Sequence, residues 1–307
     1  MPAELLRGEP VAADIREEAS GRIEALAQRG VVPTLGTVLM SDDPAAERFM
    51  DLKHSAAAED GLSTRDVRID PTEPATSLYE AVDRLCGDPD VDGVFVQVPL
   101  PNHVSRSAVR ERLDPTTDVD CFHPETLGRL VTGRPRFVPA TPAAVCAILD
   151  AYDIRLDGRD VAVVGRSDAI GKPLANRLLQ DESPGNATVT VCHSRTDDLA
   201  SVTKRADLVV TAAGEPGLVD GSMLSSGAVV VDVSANRRPG GTDGRVPNTG
   251  ERAPETEVVG DVAFESARQV ARAITPVPGG VGPVTLAMLV RNVVLAAERT
   301  ERSASGP

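Results

Sequence analysis

Apolar positions in the first 150 residues recur at helical spacing in some segments and form short continuous runs in others. Helical spacing predicts helices over Ala12–Gln28, Ala45–Glu59 and Thr76–Leu85. Continuous apolar runs bounded by turn residues predict buried strands over Thr34–Met40, Asp66–Ile69 and Gly93–Val98. Strands that alternate with helices in this order favour a parallel α/β layer.

The alternation continues in the second half of the chain. A helix is predicted to start near Pro139–Pro142, with Thr141 as its cap and Pro142 as its first residue, and we place a domain boundary there. Further strands are predicted over Val161–Val164, Thr188–Cys192, Leu208–Thr211, Ala228–Asp232 and Val258–Val259. Helix-compatible segments separate these runs, which is typical of a doubly wound Rossmann fold.

Three segments complete the pattern. Arg237–Glu257 is rich in Pro, Gly, Thr and charge without periodicity, which predicts a long exposed loop. Thr285–Arg299 has the composition of an apolar helix, and Thr300–Pro307 is predicted to be a frayed tail. A chain of 307 residues is long enough for two domains with separate cores and a cleft between them.

Composition excludes several classes of partner. The net charge of −14 opposes binding to nucleic acid or to an anionic membrane surface, and two Tyr, five Phe and no Trp leave little for base stacking. Cys86, Cys121, Cys146 and Cys192 form no C-x-x-C pair, which favours reduced thiols in the cytoplasm and no metal site. No apolar leader is visible, and no stretch is expected to span a membrane.

The run Pro276–Pro283 contains three glycines between prolines. Glycine exposes its backbone and proline fixes φ, so the run predicts a stiff loop that a flat ligand can approach closely. Taken alone, the same composition is equally typical of an ordinary turn.

A second glycine motif follows the predicted strand Val161–Val164. Gly165-Arg166-Ser167 and Gly171-Lys172-Pro173 predict a turn into a helix whose free N–H groups accept a pyrophosphate. The next strand ends in Cys192–Thr196, which lacks the carboxylate that usually binds the ribose of NAD. Because Arg166, Ser194 and Arg195 offer donors suited to a 2′-phosphate, the residues favour NADP; either arginine alone also fits a solvated surface charge.

These motifs, with Val96–Pro101, Asp118–Asp120 and Thr275–Pro283, resemble methylenetetrahydrofolate dehydrogenase/methenyltetrahydrofolate cyclohydrolase from about Val11 to Glu298. The resemblance implies a homodimer that oxidises 5,10-methylenetetrahydrofolate with NADP and hydrolyses the methenyl product to 10-formyltetrahydrofolate. It implies a folate-binding catalytic domain over residues 1–143 and a Rossmann NADP-binding domain over residues 144–274. Residues 275–307 would form a substrate loop and a helix that returns to the catalytic domain.

The resemblance also assigns site residues. Lys53, Gln97 and Asp120 are the catalytic group: Lys53 assists water attack and shuttles a proton, Gln97 orients its amine, and Asp120 binds the pterin ring. The folate-binding set is Phe49, Lys53, Val96, Gln97, Val98, Asp120, Pro276, Pro278, Gly279, Gly280, Val281, Gly282 and Pro283. The NADP-binding set is Gly165, Arg166, Ser167, Ile170, Gly171, Ser194, Arg195 and Ala235.

The chain departs from the family pattern at several positions. Phe49 stands where the family has tyrosine, so the ring is kept and the hydroxyl lost; we expect the cyclohydrolase step to be weakened. Cys121 replaces a glycine, Ala140 a common cysteine, and Ser234-Ala235 a Gly-Ile pair. Two alternatives follow: a diverged paralogue that binds folate and NADP without efficient turnover, and a dehydrogenase of another pterin or a small cyclic amine.

Overall fold

The computed structural model describes residues 2–239 and 256–304 of the chain. They form two compact units, each composed of two stretches of sequence. We call Met1–Glu9 with Val145–Pro283 the six-stranded unit, and Pro10–Ala144 with Val284–Pro307 the three-stranded unit, after the larger sheet in each. The first nine residues were predicted to belong to the folate-binding domain, whereas they belong to the six-stranded unit because Glu4–Leu5 pairs with the strand Ala273–Ile274.

Strands and helices alternate along most of the described chain. In the first half they are β1 (Glu4–Leu5), α1 (Gly8–Ala27), β2 (Thr34–Met40), α2 (Pro44–Glu59), β3 (Ser63–Ile69), α3 (Ala75–Cys86), β4 (Gly93–Val96), α4 (Arg106–Arg112), α5 (Pro124–Val131) and α6 (Ala140–Ala151). In the second half they are β5 (Asp160–Val164), α7 (Gly171–Leu178), β6 (Thr188–Cys192), α8 (Leu199–Thr203), β7 (Leu208–Thr211), a 3-10 helix (Gly221–Met223), β8 (Val229–Asp232), β9 (Asn236–Pro239), β10 (Thr256–Val259), α9 (Phe264–Arg268), β11 (Ala273–Ile274) and α10 (Val281–Ala304).

The three-stranded unit is built on a parallel sheet in the order β3-β2-β4. Every residue of the central strand β2 is buried, as its continuous apolar run predicts. Helix α3 packs on this sheet through Leu78, Val82 and Leu85, which join Val38 and Val94 in one apolar cluster. The sheet therefore anchors the start of α2, which follows β2, and the residues that follow β4.

The six-stranded unit contains a parallel sheet in the order β1-β11-β8-β7-β5-β6. Strand β5 pairs with β6 on one side and with β7 on the other, so the chain reverses its direction of winding at β5. In such sheets the crevice at the carboxyl ends of the strands, at this reversal, is the usual ligand site. The predicted doubly wound fold is confirmed.

Several sequence expectations are wrong in detail. Helix α6 begins at Ala140, so Thr141 lies inside the helix and does not cap it. The ends of the predicted loop Arg237–Glu257 are strands, because β9 and β10 pair in antiparallel register; residues 240–255 lie outside the described residues. Helix α10 continues to Ala304, where a frayed tail was expected from Thr300, and it begins four residues before Thr285.

Helix α10 also has the length and apolar composition of a membrane span, contrary to the expectation that no stretch does. In the structure 61% of its most apolar window is buried by protein. Within the three-stranded unit the Asn292 side chain donates to the carbonyls of Val119 (2.8 Å) and Val138 (2.9 Å), and Arg22 pairs with Glu298 at 2.7 Å. The helix is therefore packed in this structure as a core helix.

Candidate active site

Helix α2 places Phe49 and Lys53 on one face. Its start is set by Asp43, whose carboxylate accepts the N–H of Ala45 at 3.0 Å, with Pro44 as the first helical residue. Residues four apart lie one turn from each other. The Lys53 amine donates to the Phe49 carbonyl at 3.4 Å and lies 5.6 Å from the centre of the Phe49 ring. Phe49 is 43% exposed, which leaves it available to a ligand.

Gln97 holds the same amine from the end of β4. Its backbone N–H donates to Val38 in β2 at 2.9 Å, which extends the strand pairing by one residue. Its side-chain Nε2 donates to the Val98 carbonyl at 2.6 Å, so Oε1 is left to accept a hydrogen bond from Lys53 Nζ at 3.2 Å. The predicted pairing of Lys53 with Gln97 is thus present in the structure.

Phe95 contributes a contact that sequence reasoning missed. Its ring centre lies 4.6 Å from Lys53 Nζ, and its side chain is buried in β4. Burial lowers the pKa of Lys53 to about 8, while the charge of Asp120 acts in the opposite direction. A fraction of the amine is therefore neutral near pH 7 and able to accept a proton. An aromatic residue in a strand is ordinarily read as core, so no sequence signal marked Phe95.

Asp120 precedes helix α5 and contacts the start of α6. Its Oδ1 accepts the N–H of Ala140 at 2.8 Å, so it caps α6, the helix for which Thr141 was expected as cap. Among the described residues, none donates a hydrogen bond to its Oδ2. Burial raises the pKa of Asp120 to about 6, with Asp118 acting in the same direction and the Ala140 bond and Lys53 opposing it. One acceptor oxygen thus remains for a ligand.

Asp118 fixes the backbone that carries Asp120. It is 1% exposed and accepts the N–H groups of Phe122 (2.9 Å) and His123 (2.8 Å) and the hydroxyl of Thr126 (2.5 Å). Within this turn Cys121 has φ of +54°, a left-handed conformation that glycine adopts more easily. Its thiol donates to the Phe137 carbonyl at 2.8 Å, a contact that a glycine there would lack.

The Pro276–Pro283 run begins as a loop, and its last three residues are the first turn of α10. Gly279 has φ of +98°, and a Cβ on it would lie 2.8 Å from a carboxylate oxygen of Glu9. A Cβ on Gly280 would lie 2.5 Å from the Pro276 carbonyl, whereas one on Gly282 would meet nothing within 4 Å. The first two glycines therefore serve the packing of the loop itself, and Gly282 leaves its Cα open.

The turn between β5 and α7 also depends on its glycines. Gly165 has φ of +136° and touches the Ala212 carbonyl, while Gly171 packs directly on the Gly165 carbonyl, so a side chain at either position would collide with backbone. The Ser167 hydroxyl accepts the N–H groups of Ile170 (3.1 Å) and Gly171 (3.4 Å). Two donors predicted to be free for a pyrophosphate are thus bonded within the chain.

Arg166, Ser194 and Arg195 follow the paired ends of β5 and β6, where Val164 is in register with Cys192. All three side chains are exposed. Within residues 2–239 and 256–304, neither arginine forms an ion pair. Two uncompensated cations at neighbouring strand ends suit a phosphate group.

Ser234, which replaces a glycine of the family pattern, does not need the left-handed conformation that favours glycine. The described non-glycine residues with positive φ are Cys121, Asp153 and Asn186, so Ser234 has an ordinary backbone conformation. Its hydroxyl donates to the carboxylate of Asp261 at 2.6 Å, a buried residue that no sequence motif marks. Ala235, next in the chain, is exposed.

A parallel sheet with a glycine turn and exposed arginines in one unit, and a lysine of lowered pKa in the other, define a two-domain dinucleotide-dependent enzyme. Residues 6–120 match the catalytic domain, and residues 139–301 the NAD(P)-binding domain, of tetrahydrofolate dehydrogenase/cyclohydrolase. The chain belongs to the tetrahydrofolate dehydrogenase/cyclohydrolase family, as its motifs predict.

Relatives match over nearly the whole chain. The bifunctional protein FolD of Natronomonas pharaonis is 51% identical over 298 residues, which cover 97% of each chain. FolD of Haloquadratum walsbyi is 48% identical over 293 residues, covering 95% of this chain and 90% of the relative. The crystal structure of Trypanosoma brucei methylenetetrahydrofolate dehydrogenase-cyclohydrolase, complexed with NADP and an inhibitor, has a TM-score of 0.89 at 35% identity and covers 98% and 99% of the two chains.

The chain is accordingly a bifunctional enzyme: an NADP-dependent methylenetetrahydrofolate dehydrogenase and a methenyltetrahydrofolate cyclohydrolase. The predicted family, fold class and cofactor are confirmed. Nothing in the comparisons supports the alternative of a paralogue without efficient turnover.

Proposed function

We propose that Lys53, Gln97 and Asp120 perform the folate chemistry of both reactions in the three-stranded unit. The observation that carries this proposal is the environment of the Lys53 amine. It lies over the Phe95 ring, is bonded to Gln97 Oε1 at 3.2 Å, and has a pKa lowered to about 8. A lysine kept only for solubility would be exposed and solvated.

In the oxidation step the residues bind and orient the folate. Asp120 accepts hydrogen bonds from the amino and N–H groups of the pterin through its free Oδ2, and Phe49 stacks on the ring through its exposed face. NADP, when bound, supplies the hydride acceptor. The protein contributes alignment of the two rings, which is the main requirement of hydride transfer.

In the hydrolysis step the residues manage a proton. Neutral Lys53 accepts a proton from the water that attacks the methenyl carbon, and the resulting ammonium returns it as the ring nitrogen leaves. Gln97 Oε1 holds the amine in place in both protonation states, because the amide orientation is set by its bond to the Val98 carbonyl at 2.6 Å.

We assign NADP to the carboxyl end of the sheet in the six-stranded unit. Supporting features are the β5–α7 turn with its close-packed glycines and the exposed arginines that follow β5 and β6, which form no ion pair with any other described residue. The contact set is Gly165, Arg166, Ser167, Ile170, Gly171, Ser194, Arg195 and Ala235. The folate contacts from the loop are Pro276, Pro278, Gly279, Gly280, Val281, Gly282 and Pro283, and those from the strand end are Val96 and Val98.

A two-signal assay tests the proposed function. Purified protein is mixed with 5,10-methylenetetrahydrofolate and NADP, and NADPH and the methenyl chromophore are followed separately. We expect NADPH to form at an enzymatic rate and the methenyl product to accumulate before it is hydrolysed, because Phe49 lacks the hydroxyl that would help to handle the proton. Equal rates for the two steps would contradict the weakened hydrolysis.

Phe49→Tyr is expected to raise the rate of methenyltetrahydrofolate hydrolysis by about tenfold, less than the roughly 10²–10⁴-fold that a general acid or base contributes, because Lys53 is already present to transfer the proton. The ring of Phe49 is exposed and lies one turn from Lys53, so a hydroxyl can be added there without a packing clash. Hydrolysis is measured as decay of the methenyl chromophore with the uncatalysed rate subtracted.

Phe122→Tyr is the matched control for this substitution, since it adds the same hydroxyl to a partly exposed ring that stacks on Arg110 at 4.6 Å. We expect it to leave hydrolysis unchanged. An unaltered rate in Phe49→Tyr would show that the missing hydroxyl does not limit this enzyme.

Folate turnover is expected to fall at acid pH with an apparent pKa of about 6. Burial raises the pKa of Asp120 to this value, so the carboxylate is charged above pH 6 and protonated below it. A protonated carboxyl cannot accept both pterin hydrogen bonds, and kcat/KM for methylenetetrahydrofolate should drop about tenfold per pH unit below this point. The measurement is NADPH formation at saturating NADP between pH 4.5 and 8; Asp120→Asn should have lower activity without this acid limb.

We further propose that the enzyme acts as a homodimer in the cytoplasm. The support is the family resemblance together with four cysteines that are all free thiols in the structure, as expected in a reducing compartment. Sedimentation of the purified protein at micromolar concentration tests the dimer, and a single species of about 32 kDa would contradict it.

A further inference from the structure

Asp261, which follows β10, is a buried carboxylate with an unusually full set of hydrogen-bond donors. Its two oxygens accept five hydrogen bonds from two segments that are distant in sequence. The donors to Oδ2 are the N–H groups of Ala213 (2.6 Å) and Gly214 (3.1 Å) and the hydroxyl of Ser234 (2.6 Å); those to Oδ1 are the N–H of Glu215 (2.7 Å) and Nδ2 of Asn236 (2.9 Å).

Both segments lie at the carboxyl ends of neighbouring parallel strands. Residues 213–215 follow β7, residues 234–236 follow β8, and Thr211 in β7 is in register with Asp232 in β8. Ligands of doubly wound sheets bind at this edge. Ala235, which we assign to the cofactor, lies between the two residues whose side chains are bonded to Asp261.

A second buried aspartate, Asp232, makes a different set of contacts at the end of β8 itself. Asp232 accepts the hydroxyl of Thr211 (3.0 Å) and the N–H groups of Asp261 (3.1 Å) and Val262 (2.8 Å), which joins the strand end to the chain after β10. Asp261 instead bonds to residues that follow β7 and β8, and the last of them, Asn236, is the first residue of β9. Its contacts determine the separation of these two segments rather than the pairing of β7 with β8.

We propose that Asp261 is a positioning residue for NADP, and that it sets the spacing of segments 213–215 and 234–236 as two walls of the dinucleotide site. Ser234 is the side chain through which this chain makes the link: its hydroxyl donates to Asp261 at 2.6 Å and accepts the N–H of Gly214 at 3.3 Å. The proposal rests on our assignment of NADP to this edge of the sheet.

Ser234→Ala tests the link, because it removes one hydroxyl that joins the two walls and leaves the Asp261 carboxylate in place. We expect the Kd for NADP to rise about fivefold, the effect of one lost hydrogen bond, with kcat at saturating NADP and KM for methylenetetrahydrofolate within about twofold of wild type. Ser234→Thr keeps a hydroxyl and should restore most of the NADP affinity. Asn236→Ala, which removes a separate donor to Asp261, should also raise the Kd for NADP.

Thr203→Val is the matched control, since it also deletes one hydroxyl in the same unit. Thr203 is fully buried at the end of α8 and donates to the Met223 carbonyl at 2.7 Å, which ties α8 to the 3-10 helix that precedes β8. We expect it to lower thermal stability without changing the Kd for NADP. The proposal would be overturned if Thr203→Val and Ser234→Ala raised the Kd for NADP equally, or if Ser234→Ala bound NADP with wild-type affinity. Failure of the wild-type protein to bind NADP would instead contradict the proposed function.

Discussion

Lys53→Met is expected to slow methenyltetrahydrofolate hydrolysis by about 10²–10⁴-fold, the range found for loss of a general acid or base. Methionine keeps the length and apolar stem of lysine and removes the amine that lies over Phe95 and bonds to Gln97. Oxidation should fall much less, because hydride transfer depends mainly on ring alignment by Asp120 and Phe49. Decay of the methenyl chromophore and formation of NADPH, measured separately, give the two rates.

Lys204→Met serves as the control for this prediction. Lys204 is an exposed lysine at the end of α8 in the six-stranded unit, so the same chemical change there should leave both rates as in wild type. If Lys53→Met hydrolysed the methenyl substrate at a rate within about threefold of wild type, the amine would not act as the proton acceptor of this step.

Asp118→Ala is expected to lower the free energy of unfolding by about 3 kcal/mol or more and to reduce both activities. The carboxylate is buried and holds two backbone N–H groups and the Thr126 hydroxyl, so its loss leaves three donors without this acceptor in the turn that carries Asp120. Unfolding in urea, followed by circular dichroism, measures the change in stability.

Asp120→Ala is the informative comparison, because it removes a neighbouring carboxylate with one bond, to the Ala140 N–H at 2.8 Å. We expect Asp120→Ala to lower the free energy of unfolding by about 1 kcal/mol. We expect the loss in free energy of folate binding to be larger than this. If Asp118→Ala unfolded at the wild-type urea concentration, the turn would not depend on its carboxylate.

Local sequence was sufficient for most elements of the fold. The continuous apolar run Thr34–Met40 is β2 without change, and Thr188–Cys192 is β6, because a fully apolar or β-branched run between turns has few other low-energy conformations. The predictions that were wrong concerned the ends of helices and strands and the residue that caps α6. Helix α6 starts at Ala140, where its first N–H is accepted by a carboxylate 20 residues earlier, and no local pattern reports such a partner.

The candidate site divides in the same way. Lys53 and Gln97 were expected together and are 3.2 Å apart, whereas Phe95 beneath the amine was missed. Ser234, which replaces a glycine of the family pattern, has an ordinary backbone and a hydrogen bond to Asp261. The sequence around Ser234 does not indicate a partner 27 residues away. Ser234 contacts Asp261 because the ends of β7 and β8 pack against the chain that follows β10.

By itself, the order of apolar runs, glycine turns and polar residues determined the α/β class, the family and the spacing that puts Phe49 and Lys53 on one helical face. Tertiary structure alone decided the chemistry of those residues. Burial lowers the pKa of Lys53 to about 8 and raises the pKa of Asp120 to about 6. Desolvation and charge interactions act through space, so they depend on which distant segments are packed together and not on the residues adjacent in the chain.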